Sequence, residues 1–238
     1  MKPLLQRIDF HGECDTVLLD SKSFEHGLGL AVHTRATLRY DYSYISSAAI
    51  RIGDDILEVG SFGNYMLNGV SNADMPVFLA DKFPVHHTHT KDTVHSFDIE
   101  LGQGESITVT VFKDIVNIKI AGSRFEGSVG LMGSYGTGVM MARNGTAVIE
   151  DPVMFGQEWQ TRPDEDGPPL FQVKRTPQYP EKCNMPSAKN TAATRRLGEG
   201  ISRVEAEMAC GWWGPGNMER CVADVIALSD LDFAKMGP

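Results

Sequence analysis

A strict alternation of polar and apolar residues over 96–111 is the feature that most constrains the fold of this chain. Apolar residues occupy every second position of Ser96–Leu101, and the same pattern returns in Ser106–Val111. Side chains of a strand point alternately to the two faces of a sheet, so each segment predicts a half-buried strand. The glycine-containing link Gly102–Gly104 predicts that the two strands form an antiparallel hairpin.

Other short runs of the same kind predict further strands, at Thr16–Leu19, Leu28–Val32, Ala48–Ile52, Ile56–Val59 and Val116–Ile120. Turn residues such as Gly53–Asp55 separate neighbouring runs at a spacing of roughly ten residues. This pattern predicts a mainly β fold, an antiparallel two-sheet β-sandwich over residues 1–160.

The segment Phe125–Gly138 follows these strands and contains five glycines in fourteen residues. A flexible linker is one interpretation of so many glycines. Apolar residues at Phe125, Val129, Leu131 and Tyr135 instead favour a structured corner, because a linker has no need of such anchors.

The last third of the chain changes character. Residues 161–193 are rich in proline and predict an extended connector packed near the β domain. Residues 194–238 predict a small helical module. One helical face contains Ile201, Val204 and Met208, and another contains Cys221, Val225 and Leu228. Ser229 and Asp232 have the spacing of a capping box, which predicts a last short helix.

Net charge and apolar content exclude several classes of partner. The 238 residues carry a formal charge of -9, which argues against nucleic acid or an anionic membrane surface. No apolar run is long enough to predict membrane insertion. The first residues lack the apolar core of a secretory signal, so we expect either a cytosolic chain or a piece of a longer one.

Four cysteines, Cys14, Cys183, Cys210 and Cys221, are unevenly spaced along the chain. The sequence contains neither a C-x-x-C pair nor a Cys/His ligand spacing, which argues against structural zinc. Four cysteines allow three pairings, and both two disulfides and four reduced thiols are compatible with the sequence.

Histidines supply the best metal candidates. His87 and His89 would project from one face of a strand, a spacing that can chelate a transition metal. The alternative is a hairpin edge whose polar face happens to be histidine. No third ligand can be placed from the sequence, since His95 lies too far along the chain. We therefore predict neither a metal site nor a cofactor.

Catalytic groups cannot be assembled from the sequence. The carboxylate pairs are Asp54 with Asp55, in a predicted turn, and Asp98 with Glu100, on the outward face of a strand. Ser128 has only half of the glycine pattern of a nucleophile elbow. We therefore expect a protein that is not an enzyme.

Two further motifs each have a functional and a structural interpretation. Asn144 begins an Asn-Gly-Thr sequon, which would accept a glycan if the chain is secreted, although Asn-Gly is also a good turn. Trp212 and Trp213 could form a surface for stacking on sugars, or could pack against the helices.

Several segments together resemble the von Willebrand factor type D domain, an extracellular, disulfide-bonded β module. The resemblance covers about residues 8–185. It rests on His11–Leu19, Phe97–Val111, Val116–Ile120, Gly130–Gly133 and Phe155–Trp159, the last resembling the closing tryptophan strand of the family. Ala206–Cys210 and Cys221–Val225 resemble a shortened form of the cysteine-rich helical module that often follows such domains.

The resemblance implies disulfides from Cys14 to Cys183 and from Cys210 to Cys221. Met132 stands where the family has a cysteine, and the corner lacks the carboxylates that bind calcium in family members, so no family-type calcium site is expected. The implied function is a non-enzymatic, extracellular or cell-surface glycoprotein module for adhesion or assembly, whose partners are other proteins, matrix or glycans. The alternative is a carbohydrate- or small-ligand-binding β domain using the 86–89 edge or Trp212 and Trp213.

Overall fold

The structure is a computed structural model that describes residues 10–39, 42–90, 94–125, 127–135, 137–186, 200–214 and 217–236. Two antiparallel sheets of six and five strands form a β-sandwich, and both follow chain order. The first sheet contains β1 (Asp15–Ser21), β2 (Leu30–Arg39), β3 (Tyr42–Ile52), β4 (Asp55–Val59), β5 (Tyr65–Leu67) and β6 (Val70–Ser71). The second contains β7 (Val77–Leu79), β8 (Phe83–His89), β9 (Val94–Gly102), β10 (Glu105–Phe112) and β11 (Ile115–Ala121).

The alternating residues of the predicted hairpin form the centre of the core. Ile107 lies opposite Ile99 and Val109 lies opposite Phe97 in the antiparallel pair β9–β10. All four side chains are fully buried and pack against the inner face of the first sheet. The predicted mainly β fold with two antiparallel sheets is therefore confirmed.

The glycine-rich corner is structured and covers an edge of the first sheet. The backbone N–H of Val129 donates to the carbonyl of Asp20 at 3.0 Å, and that of Leu131 donates to Val17 at 2.9 Å. Gly130 between them has a φ of +144°, and a Cβ there would lie 2.4 Å from the carbonyl oxygen of Leu18. The corner thus protects the β1 edge from pairing with another chain, and only glycine permits the close approach.

The segment that resembles a tryptophan strand is a helix, α2 (Pro152–Glu158), so the strand expected at Phe155–Trp159 is wrong. The side chain of Asp151 accepts the backbone N–H of Met154 at 2.7 Å, and Pro152 occupies the first turn. Both features favour a helix start over a strand. Phe155 and Trp159 are nevertheless buried, under the corner.

Residues 161–186 pack over the outer face of the first sheet. A four-residue helix, α3 (Pro163–Asp166), begins this segment. Leu170 and Phe171 then bury against Ala31 and Ala49 of β2 and β3. Residues 187–199, which include the end of the expected connector and the start of the expected helical module, lie outside the described residues.

The helical module contains α4 (Arg203–Cys210) and α5 (Met218–Leu228), with 3-10 turns at Gly211–Trp213 and Leu231–Met236. A four-residue helical turn, α1 (Phe24–Gly27), precedes β2. The module packs on Phe112 and Ile115 at one end of the sandwich. The predicted face of Cys221, Val225 and Leu228 is buried.

The structure adds one detail to the predicted module and corrects another. Val204 and Met208 share an exposed face of α4, which buries Ala206 and Cys210 on its other side. Ser229 does not begin the last helical turn: with a φ of +51° it ends α5. Asp230 supplies the cap, because its carboxylate accepts the backbone N–H of Asp232 at 3.0 Å.

Candidate functional site

Two disulfides connect the four cysteines, and no cysteine is free. Cys14 bonds to Cys183 and Cys210 bonds to Cys221, which are the pairs that the resemblance implies. All four side chains are at least 96% buried. Because such bonds persist in oxidising compartments, the pair indicates an extracellular-type environment.

The long disulfide holds the 161–186 segment against the first strand. Cys14 and Cys183 are separated by 169 residues, and their Cα atoms lie 5.0 Å apart. Beside them, Glu13 and Asn184 form an antiparallel bridge, with the Glu13 N–H donating to the Asn184 carbonyl at 2.8 Å. The short disulfide instead joins the end of α4 to the first turn of α5 and braces the helical module.

The predicted metal candidates His87 and His89 lie on the inner face of β8. They continue the row of Phe83 and Val85, which are core residues. His95 lies directly opposite His89 on β9, two residues before the buried Phe97. These three residues, the histidine cluster, therefore lie where β8 ends and β9 begins, next to Val94, which packs against the helical module.

Packing contacts hold two of the three imidazoles in place. The His87 ring stacks on Phe97 with centroids 4.4 Å apart and lies 5.7 Å from the Tyr65 ring of the opposite sheet. The His95 ring packs against Gly63, where a Cβ would lie 2.3 Å from the imidazole. Gly63 also has a φ of +70°, so a glycine is needed there for conformation and for space.

The imidazoles interact with one another directly. Nε2 of His87 lies 3.0 Å from Nδ1 of His95, so one ring donates and the other accepts a hydrogen bond. The His89 ring stacks on His95 at 4.3 Å. Burial lowers the pKa of His87 and of His95, and the neighbouring His89 acts in the same direction. Neutral imidazole, the form that binds metals, is thus favoured.

The sequence contained a signal for the third histidine. His95, Phe97, Ile99 and Leu101 have the same parity along β9, and the last three are core residues. A histidine in this row of β9 points to the same side of the sheet as the core residues. Because β8 and β9 are neighbours, it faces the same space as His87 and His89. In the present side-chain arrangement, no group of three or more described His, Cys, Asp or Glu residues is placed to hold a metal ion.

An apolar stripe lies on the disulfide-braced helical module. Val204, Met208 and Trp212 are spaced four residues apart along α4 and the following 3-10 turn. Their exposed fractions are 64%, 72% and 61%. The neighbouring Trp213 is buried, and its indole N–H donates to the carbonyl of Ala234 at 2.6 Å. The two tryptophans therefore differ: Trp213 packs the module and Trp212 faces solvent.

The sequon residue Asn144 lies in an exposed turn. Its side-chain oxygen accepts the backbone N–H groups of Thr146, at 3.0 Å, and Ala147, at 3.1 Å. Asn144, Gly145 and Thr146 are all exposed. The position is accessible to a modifying enzyme, and the Asx turn also explains the choice of asparagine structurally.

Asp55, Asp98 and Ser128, which were considered for catalysis, have structural partners. Asp55 accepts the backbone N–H of Ala80 at 2.6 Å, and Asp98 accepts the Thr108 hydroxyl at 2.8 Å. Ser128 is buried, and its hydroxyl donates to the carbonyl of Phe125 at 2.5 Å. Each group stabilises a turn or a strand pair where it lies.

One further histidine is buried beneath the 161–186 segment. His33 on β2 is 4% exposed. Burial lowers its pKa to about 4, and the charges of Arg51 and Arg143 act in the same direction, while Asp166 opposes them. His33 is therefore neutral at physiological pH and serves as part of the packed interface.

Among the described helices, none combines the length and the apolar character that crossing a bilayer requires. No protein-family model matches this sequence, and no curated protein matches it.

Proposed function

We propose that this chain is a non-enzymatic extracellular module of the von Willebrand factor type D kind, which acts in adhesion or assembly. The observation that carries the proposal is the pair of disulfides, because one fastens the 161–186 segment to β1 and the other braces the helical module. Covalent fastening of this kind suits a module that works outside the cell, where thiols are oxidised.

The apolar stripe is the surface that would contact a partner. Met208 and Trp212 are both more than 60% exposed, and they stand on a helix whose other face is packed and cross-linked. Tryptophan and methionine are enriched at the centres of protein interfaces. The apolar stripe can bind a partner at a small cost in conformational entropy, because its backbone is already ordered.

The proposal is tested by sedimentation velocity for self-association and by solid-phase binding to matrix proteins such as collagen and fibronectin. We expect Met208→Glu to weaken the association that the unmodified protein shows. The loss should be about tenfold or more, because the substitution places a charge in the apolar stripe. Val148→Glu is the matched control, since Val148 is 57% exposed but lies in the Asn144 turn. Equal binding by both variants, or no association in either assay, would contradict the proposal.

For the alternative function, binding of a carbohydrate or a small ligand, Trp212 is the exposed one of the two tryptophans, and His86 is exposed on the 86–89 edge. An exposed indole can stack on the apolar face of a sugar ring. Glycan-array binding that is lost in Trp212→Ala and retained in Met208→Glu would favour this alternative over a protein partner. Because the sequon is exposed, expression in a eukaryotic secretory system should give a glycan on Asn144 that Asn144→Gln removes.

A further inference from the structure

The histidine cluster has the topology of a three-imidazole metal site. His87 and His89 are two residues apart on β8 and share a face, and His95 lies opposite His89 on the adjacent strand β9. Residues directly opposite on antiparallel strands have Cβ atoms about 5 Å apart, and diagonal neighbours lie about 7–8 Å apart. Three imidazoles at these positions form a triangle whose rings can reach one common point.

Two of the three nitrogens already have nearly the spacing of zinc ligands. Nε2 of His87 and Nδ1 of His95 are 3.0 Å apart. Zinc–nitrogen bonds of about 2.0–2.1 Å in a tetrahedron place two ligand nitrogens about 3.3–3.4 Å apart. Zinc binding replaces this hydrogen bond: the donating ring shifts its proton to its other nitrogen, and both rings turn until their lone pairs point at an ion beside the N–N line, while the two nitrogens move apart by a few tenths of an ångström.

The surroundings hold these two rings close to each other. Phe97 lies under the His87 ring, and Gly63, in the 3-10 turn Ser61–Gly63, lies against the His95 ring. Preorganised ligands bind a metal more tightly, because little side-chain freedom is lost on binding. The two rings are also hydrogen-bonded to each other.

His89 supplies the third ligand by rotating. Its ring is stacked on His95 at 4.3 Å, and for this reason the three nitrogens do not converge in the present arrangement. His89 is exposed at the end of β8, so its side chain can turn without disturbing the core. Rotation exchanges a stacking contact for a metal–nitrogen bond.

We propose that His87, His89 and His95 bind one Zn²⁺ ion where β8 ends and β9 begins. Three imidazoles leave a fourth tetrahedral position, which a water molecule fills. The ion links β8 to β9, close to Tyr65 of β5 and to Gly63 in the turn between β4 and β5. This site is independent of the apolar stripe and of the proposed adhesion function.

Calorimetric titration of Zn²⁺ into the full chain, with any affinity tag removed and in a non-chelating buffer, tests the proposal. We expect saturation at one ion per chain, and Co²⁺ should give the intense visible bands of a tetrahedral site. His89→Gln and His95→Gln should each weaken zinc binding by about tenfold or more, since each removes one of three ligands.

His86→Gln is the matched control. His86 is on the same strand but on the opposite face, where its ring lies 3.5 Å from Glu100. Its substitution should leave zinc affinity unchanged. An equal loss in this variant, an undiminished affinity in either cluster variant, or the absence of saturable binding would each overturn the site.

Thermal unfolding gives a second readout that does not depend on heat of binding. Because zinc binds the folded cluster, the melting temperature should rise by about 5 °C or more when free Zn²⁺ reaches about 100 times the dissociation constant. His89→Gln keeps the buried contacts of His87 and His95, so it should fold and show the same melting temperature as the unmodified protein without zinc. A rise of equal size in that variant would contradict the proposal.

Discussion

Replacing both members of the long disulfide, by Cys14→Ala with Cys183→Ala, is expected to destabilise the fold by about 5 kcal/mol. The bond closes a loop with a sequence separation of 169 residues. The entropy that such a closure removes from the unfolded chain grows with the logarithm of loop length, which gives about 5 kcal/mol at 25 °C. Both side chains are buried, and alanine leaves only a small cavity at each position.

The short disulfide provides the internal comparison. Cys210 and Cys221 are 11 residues apart, for which the same relation gives about 3 kcal/mol. Urea unfolding followed by circular dichroism and tryptophan fluorescence should therefore show a larger loss for the Cys14–Cys183 variant than for Cys210→Ala with Cys221→Ala. A typical domain has only about 5–15 kcal/mol of stability, so the first variant should be close to unfolded.

The order of the two losses tests the reasoning more sharply than either value. If the long bond stabilises by constraining the unfolded chain, its removal must cost more than removal of the short bond. Equal losses, or a larger loss for Cys210→Ala with Cys221→Ala, would refute that reasoning. Such a result would mean that local packing of the helical module dominates.

Three further perturbations follow from the geometry. Gly130→Ala should lower the free energy of unfolding, measured in urea, by about 2–3 kcal/mol, because its Cβ would meet a backbone carbonyl at 2.4 Å. Gly127→Ala, with open space around it, should lower it by about 1 kcal/mol. Equal losses would contradict the close approach at Gly130. Arg124→Met should lower the free energy of unfolding by about 3 kcal/mol, because Glu105, only 6% exposed, loses its guanidinium partner. Adding Glu105→Gln removes the unpaired charge and should recover part of that loss. The free energy of unfolding should fall by about 3 kcal/mol as the pH drops from 6.5 to 4. The cause is that unfolded His33 takes up a proton that the folded residue, with a pKa of about 4, does not. His33→Leu should make the dependence of the unfolding free energy on pH shallower, and an unchanged dependence would argue against the buried neutral imidazole.

The strands could be predicted because their burial is recorded residue by residue in the sequence. Phe97, Ile99 and Leu101 alternate with polar residues, and a single sheet face satisfies that pattern. The glycine-rich corner could be recognised as structured from its apolar anchors. Its role in covering β1 could not, because backbone hydrogen bonds between Val129 and Asp20 leave no trace in residue type.

The errors arise where one local signal overrode another. The 155–159 segment resembles a strand by its tryptophan, but Asp151 and Pro152 before it start a helix. Ser229 and Asp232 have the spacing of a capping box, but Ser229 adopts a positive φ that ends α5, and Asp230 caps the last turn. The alternation along β9 predicts that His95 lies on the core side of the sheet. That His95 lies next to His89 can be seen only from the pairing of β8 with β9.

Peptide mapping of the protein under non-reducing conditions is the measurement that bears most directly on a disulfide-fastened extracellular module. Proteolysis without reduction, followed by mass spectrometry, should recover one linked peptide pair with Cys14 and Cys183 and another with Cys210 and Cys221. Reduction should separate each pair into its two peptides. Recovery of all four cysteines as free thiols from protein made in an oxidising compartment would contradict the proposed module and its extracellular assignment together.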